Sequence, residues 1–274
     1  MDAPLIRPDD FLAAAWRQRL AERGLNAFET LWQLELPPLD IANESRGGIS
    51  TAALLTLPDA GRDACRLVLK RQRNHQSRNW RHPLRGIPTL QKEFMNIRRF
   101  NRGGLATAVP VYFARRSGNE GIRAILMTEY LEGYQSLDSC LEAWGRSSGP
   151  PRGERHAILR QVADLIARMH RAGWQHNCLY PKHLFVTTHL PEPDVRLIDL
   201  EKAGRRLGAR WRMRRDLRAL FRRSPFWTPA DQAYFMIHYH GAPGLNPEVL
   251  QSLRWIQQVA AAKTRRSAPK GRGH

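Results

Sequence analysis

The clearest hydrophobic pattern in the chain spans residues 154–172, where Leu159, Val162, Ile166 and Met169 recur with polar residues between them. An apolar stripe with a 3.6-residue period predicts an amphipathic helix with that face in a core. Gly173 follows, and a glycine there can take the left-handed conformation that stops a helix. Residues 91–100 carry the same signal, with Phe94, Ile97 and Phe100 facing inward and Gly103-Gly104 as the stop. Short apolar runs bounded by turn residues predict strands at 49–57, 65–70, 109–114, 122–129, 184–186 and 195–198. Ser117-Gly118-Asn119 predicts the turn within the 109–129 pair, and Pro191 and Pro193 punctuate the turn before Val195. Further helices are expected at 138–144, 229–239 and 247–262. At the N-terminus, Asp9 or Asp10 is placed to cap a helix reaching Arg23, with Phe11, Leu12, Ala15, Trp16 and Leu20 as a loose apolar face. A second short helix is expected at 27–32. Residues 1–42 then form a helical extension packed on the main fold, and 263–274, basic and poor in apolar residues, form a frayed tail.

Length and charge narrow the possibilities. A chain of 274 residues is enough for two lobes or one large domain. It carries 44 Lys and Arg against 25 Asp and Glu, a formal net charge of +19. Such a surface attracts polyanions. No nucleic-acid-binding motif is recognisable and the arginines are dispersed, so no specific nucleic acid is expected as partner. The three cysteines lack metal-ligand spacing, and an odd number without a secretory signal points to a reducing compartment. No apolar run approaches the ~20 residues that span a bilayer. The expected location is cytoplasmic, with at most a peripheral contact on the inner face of the membrane.

Candidate chemistry concentrates between residues 168 and 203. A polar loop, His176-Asn177-Cys178-Leu179-Tyr180-Pro181-Lys182-His183, precedes the two strand-like runs, and Asp199 directly follows the second. A carboxylate just after a buried strand is held rigidly, which suits a metal ligand. Upstream, Gly47 and Gly48 beside a strand would allow close backbone approach to a phosphate, or form an ordinary turn. Lys70 ends a strand, and Glu93 sits on the first turn of the helix at 91–100. Between them, residues 71–90 are long and basic; Arg78, Arg81 and Arg85 there are either phosphate-binding or solvated. His176 and Cys178 could suggest a thiol nucleophile, but no orienting group or oxyanion site accompanies them.

A loop beginning with His, then a hairpin, then a metal-binding Asp is the order in which protein-kinase-like enzymes build their sites. The segments HNCLYPKHLFV and RLIDLEKA resemble the lipopolysaccharide kinase (Kdo/WaaP) family, and within it the InaA-type branch. The resemblance spans roughly residues 43–225. It implies an α+β, protein-kinase-like, two-lobed fold: a small antiparallel β lobe over 43–130 and a larger, mainly helical lobe over 131–262. It implies ATP and Mg²⁺ as cofactors and a sugar hydroxyl of lipopolysaccharide inner core, or a related anionic glycolipid, as acceptor. Some members associate with acyl carrier protein, an acidic partner that this charge would accept. By the same resemblance Lys70 would hold the ATP phosphates and Glu93 would orient it. Gly47 and Gly48 would lie in the glycine loop, and the backbone at Glu129 and Leu131 would meet the adenine edge. His176 would be the hinge of the catalytic loop, and Asp199, with His183, would face the metal. Asp216 would brace the loop through backbone N–H groups. One position departs from the pattern: Cys178 stands where the catalytic Asp is expected. A thiol is a poorer base than that carboxylate, and a missing general base typically costs about 10²–10⁴-fold. Glu201 is a neighbouring carboxylate that could substitute. The alternative implied by the InaA branch is a weak or inactive kinase-like protein that binds nucleotide or an anionic partner, with a role in stress response.

Overall fold

The structure is a computed structural model and describes residues 9–39, 43–45, 48–59, 62–79, 82–119, 121–146, 149–188 and 192–267. The chain forms two compact units, one of residues up to Gly103 with Thr107–Leu131, the other of Gly104–Ala106 with Glu132 onward.

The first unit is built on an antiparallel sheet. In chain order it contains β1 (Phe11–Leu12), α1 (Ala14–Ala21), α2 (Phe28–Gln33), β2 (Asn43–Ser45), β3 (Gly48–Asp59), β4 (Arg62–Arg73), β5 (Gln76–Asn79), β6 (His82–Pro88), α3 (Thr89–Arg102), β7 (Pro110–Gly118) and β8 (Gly121–Glu129). The main sheet runs β1-β7-β8-β4-β3-β2, and β5 pairs with β6 in a separate hairpin. Period-two alternation decides what each face does. Leu55, Leu57, Leu67, Leu69, Ile125 and Met127 point to one face, where they pack with Trp16, Leu20, Phe28 and Leu31 of the N-terminal helices. The other face carries α3, whose Phe94 ring stacks on Phe113 at 4.5 Å between centroids. Phe94, Ile97 and Phe100 of that helix are all buried, as their spacing predicts.

Several local expectations are corrected here. Neither Asp9 nor Asp10 caps the first helix: α1 begins at Ala14 with Ala13 as its N-cap. Asp10 instead accepts two hydrogen bonds from the Arg116 guanidinium, both 2.7 Å. This lets Phe11 and Leu12 add an edge strand to β7, and Ala15 is exposed. In the bidentate pair both partners are charged, whereas a cap would give the Asp10 carboxylate only uncharged backbone N–H donors. Lys70 lies within β4, not at its end, because pairing with β3 and β8 carries the strand on to Arg73. Glu93 lies on the second turn of its helix and not the first, since α3 starts at Thr89, two residues earlier than expected. The basic stretch after Lys70 forms the β5–β6 hairpin. Of its arginines, Arg81 lies outside the described residues, as do the side chains of Arg78 and Arg85.

The second unit is mainly helical. It contains β9 (Tyr134–Ser136), α4 (Leu137–Arg146), α5 (Arg152–Arg171), β10 (Trp174–Gln175), β11 (Leu184–Thr187), β12 (Val195–Leu197), β13 (Gly204–Arg205), α6 (Ala209–Phe221), α7 (Pro229–His240) and α8 (Pro247–Ser267). Helix α5 is the spine. Leu159, Val162, Ile166 and Met169 are fully buried, and Ile158, Ala163 and Leu165 widen the stripe. Helix α7 opens with a capping box between Thr228 and Asp231, and Asp231 also pairs with Arg155 of α5. Helix α8 runs to Ser267, so the first part of the expected tail is helical.

Candidate active site

On the sheet unit, Lys70 and Glu93 meet. Lys70 is registered against Ala52 of β3 and Leu126 of β8. Its side chain leaves the face opposite Leu69 and places Nζ 2.7 Å from Glu93 Oε1. The glutamate side chain is 6% exposed and the lysine 26%. A buried carboxylate thus aims an ammonium that still reaches solvent, which suits a group that must grip an anion. Gly47 lies outside the described residues. At Gly48 a Cβ would stand 2.6 Å from the backbone of Asn74 and His75, so the start of β3 passes against that turn only because the side chain is missing. At the C-terminal end of β8, the Glu129 N–H donates to the Val109 carbonyl, and the Glu129 carboxylate accepts from Trp16 Nε1 at 2.9 Å. Any contribution of Glu129 to a nucleotide edge would therefore come from its carbonyl oxygen. Leu131 is half-buried at the end of this unit.

On the helical unit, four expected residues converge. The 176–183 loop leaves β10, passes through a single 3₁₀ turn at Pro181–His183 and enters β11. Strand β11 pairs with β12, with Leu184 opposite Leu197. That pairing carries Asp199 back to the loop, and Asp199 Oδ2 lies 3.1 Å from His183 Nε2. The Asp199 backbone is left-handed, with φ 58° and ψ 56°. Among the described residues only Asn74, Asn177 and Asp199 combine a side chain with positive φ. Two of these three are in this cluster, where strained backbone commonly serves function.

Hydrogen bonds assign the histidine tautomers. His176 is fully buried and its Nε2 donates to the Ile198 carbonyl at 3.1 Å, tying the loop to the residue before Asp199. Burial holds its pKa below the ordinary histidine value. His183 Nδ1 donates to the Cys178 carbonyl at 2.8 Å. Burial, partly offset by the Asp199 charge, lowers the His183 pKa to about 4. The neutral ring then presents the Nε2 lone pair to a carboxylate oxygen. Two acceptors facing each other are reconciled by a cation or a shared proton. No group of three or more His, Cys, Asp or Glu side chains suited to a metal occurs among the described residues. The Asp199 carboxylate fits Mg²⁺ that keeps waters and takes further ligands from phosphates, whereas the His183 imidazole is a poor ligand for that oxygen-seeking ion. The pair does not fit an all-protein cage.

Asp216 of α6 organises the loop from behind. It is fully buried. It accepts from the backbone N–H of His176 at 2.7 Å and of Asn177 at 2.9 Å. His170 Nε2 adds a third bond at 3.1 Å, and His170 Nδ1 accepts from the Tyr239 hydroxyl at 2.9 Å. His170 and Tyr239 are the residues that sequence reasoning missed. The one sequence signal was a histidine closing the apolar stripe of α5.

Cys178 is buried. Lys202 is close enough that burial, which lowers its pKa, is outweighed by Cys178, Glu201 and Asp199, which raise it. Lys202 Nζ is 3.3 Å from Glu201 Oε1, and the Lys202 carbonyl accepts from Asn177 Nδ2. Glu201 therefore stands beside this cluster, held by a lysine. Lys70 and Glu93 belong to one unit, and Cys178, His183 and Asp199 to the other.

A family model for lipopolysaccharide kinases (Kdo/WaaP) matches residues 29–239. The chain belongs to the lipopolysaccharide kinase family. Among curated family relatives, protein InaA of Escherichia coli is 29% identical over 197 residues, covering 70% of this chain and 86% of InaA. The lipopolysaccharide core heptose(I) kinase WaaP of Pseudomonas aeruginosa is 33% identical over 144 residues, covering 49% of this chain and 53% of that kinase. A solved structure of WaaP in complex with acyl carrier protein superposes with a TM-score of 0.65 at 24% identity, covering 95% of this chain and 98% of the other. That likeness establishes the kinase-like fold: an α+β chain with an antiparallel β unit and a larger, mainly helical one.

Proposed function

We propose that this family member transfers the γ-phosphoryl group of ATP to a sugar hydroxyl of lipopolysaccharide inner core, or of a related anionic glycolipid. The Lys70–Glu93 ion pair at 2.7 Å is the observation that carries the reading. Phosphoryl transfer asks the protein mainly to position groups and neutralise charge. Lys70 would hold ATP phosphates with its ammonium fixed by Glu93, near backbone supplied by Gly47 and Gly48. The Glu129 carbonyl and the Leu131 backbone would take the adenine edge. Asp199, with His183 beside it, would hold Mg²⁺, which when bound neutralises phosphate charge. His176 would keep the loop in register with Asp199. The acceptor hydroxyl would lie near Cys178, with Glu201 as a candidate substitute for the missing carboxylate.

A second reading is favoured by Cys178 and by the similarity to InaA. Here the chain binds nucleotide or an anionic partner with little turnover, in a stress-related role. The net charge of +19 suits an acidic partner. Acyl carrier protein is such a candidate, since it accompanies the structurally similar WaaP. We place the protein in the cytoplasm, in peripheral contact with the inner face of the membrane.

Mg·ATP binding by thermal shift and turnover on lipid-free core oligosaccharide, in wild type, Asp199→Ala and Cys178→Asp, test both readings. Turnover by the wild type that Asp199→Ala abolishes supports the kinase. Binding without turnover, with turnover appearing in Cys178→Asp, supports the second reading. No Mg·ATP binding at all overturns both nucleotide assignments.

A further inference from the structure

The turn before α6 and the exposed side of its first half combine two features that neither the core nor the active site uses. Leu207 is 97% exposed and Trp211 is 50% exposed. They are four residues apart, and the Gly208 between them has φ +84°, a left-handed turn that pushes Leu207 outward before the helix begins. Around them Arg205, Arg206, Arg210, Arg214, Arg215 and Arg218 are exposed. No acidic residue lies between Glu201 and Asp216 in sequence, and Asp216 is fully buried, with its carboxylate spent on the loop. The Arg215 guanidinium lies over the Trp211 ring at 5.4 Å, and Arg210 is steadied by Gln251 of α8 at 2.9 Å.

We infer that this turn and helix face dock the protein on an anionic lipid bilayer, with Leu207 and Trp211 entering the interface and the arginines meeting lipid phosphates. The inference rests on the peripheral membrane contact proposed above and names its surface. Charge complementarity selects the occupant. Exposed arginines with no exposed carboxylate among them in sequence, beside a tryptophan, are the composition favoured at the headgroup level, where the indole sits amphipathically and long cationic side chains reach the phosphates. Shape selects a bilayer over an acidic protein. Leu207 protrudes from a turn, and two apolar side chains among arginines fall far short of the ~800 Å² per partner of a standard protein interface. A bilayer yields around a protrusion and needs no complementary groove. No helix among the described residues is long and apolar enough to cross a membrane, so this contact is a surface one. Each cationic side chain near an anionic leaflet strengthens binding by about fivefold.

The test is sedimentation of the full-length protein with phosphatidylcholine vesicles, with and without phosphatidylglycerol, in the absence of nucleotide. Wild type should bind the anionic vesicles and release with salt. Leu207→Ser/Trp211→Ser should bind about tenfold or more weakly, and Arg206→Gln/Arg215→Gln about 25-fold more weakly with a shallower salt dependence. Because these side chains are exposed, melting temperature and turnover on lipid-free oligosaccharide should be unchanged in both variants. Trp211→Phe should keep most of the vesicle binding and lose the part of tryptophan fluorescence that brominated lipid quenches. Wild type that ignores anionic vesicles, or variants that bind them as well as wild type, would overturn the assignment. So would capture of purified acyl carrier protein through these residues without vesicle affinity. Loss of turnover alone, with vesicle binding intact, would count against the kinase reading and leave this surface standing.

Discussion

Removing the Asp216 carboxylate should loosen the 176–183 loop and cost more stability than any surface change. In Asp216→Ala three donors lose their acceptor: the N–H groups of His176 and Asn177 and the His170 ring N–H. All three residues are buried or half-buried. A buried donor left without a partner costs about 1–3 kcal/mol. Three would cost about 3–9, and relaxation with water entry brings the expectation to about 3–5 kcal/mol, the usual range for breaking a buried charged network. Asp216→Asn keeps one acceptor oxygen but turns an amide N–H toward another N–H, so it should cost about 1–3 kcal/mol. The assay is equilibrium urea unfolding followed by tryptophan fluorescence. With m about 3 kcal/mol/M, the alanine variant should lower the midpoint by about 1–1.7 M at unchanged m. A midpoint within about 0.2 M of wild type for Asp216→Ala would refute the reasoning, because the carboxylate would then hold nothing that water cannot replace.

Three further outcomes are expected. Glu93→Gln should weaken ATP binding by about 10–100-fold, the equivalent of a charge-assisted hydrogen bond, measured by calorimetry; unchanged affinity would mean that Lys70 needs no partner. Acid should destabilise the fold through His183. Its pKa is about 4 in the folded protein, against the ordinary histidine value of 6.5, so the unfolded chain binds the proton first as pH falls. Stability is present in full above pH 6.5 and is lost toward pH 4, by about 2–3 kcal/mol for this group; His183→Gln should flatten the urea midpoint over that window. Gly48→Ala should lower the melting temperature by about 3–8 °C, because its Cβ would meet the Asn74 backbone at 2.6 Å. Gly118→Ala, where a Cβ meets nothing within 4 Å, is the control and should melt close to wild type.

Much of the architecture is written in local patterns. The α5 stripe and the amphipathic residues of α3 are helical periodicities, and the β11 and β12 runs are short apolar stretches bounded by turn residues. They put Glu93, the 176–183 loop and Asp199 on a helix, a loop and a strand end from the sequence alone. What the sequence could not decide was pairing. Asp10 is a good helix cap by type, yet it is taken by Arg116, over a hundred positions away. Lys70 reads as a strand terminus, yet hydrogen bonding on both edges carries β4 past it. The tertiary structure alone set the His183 tautomer, turned Asp199 into the left-handed region and joined Tyr239 to the loop through His170 and Asp216. Periodicity is a property of neighbours in sequence, legible because each residue's face follows from the one before. Hydrogen-bond partners, burial and the pKa shifts they cause depend on groups brought close only by folding, and those decided how the site is held.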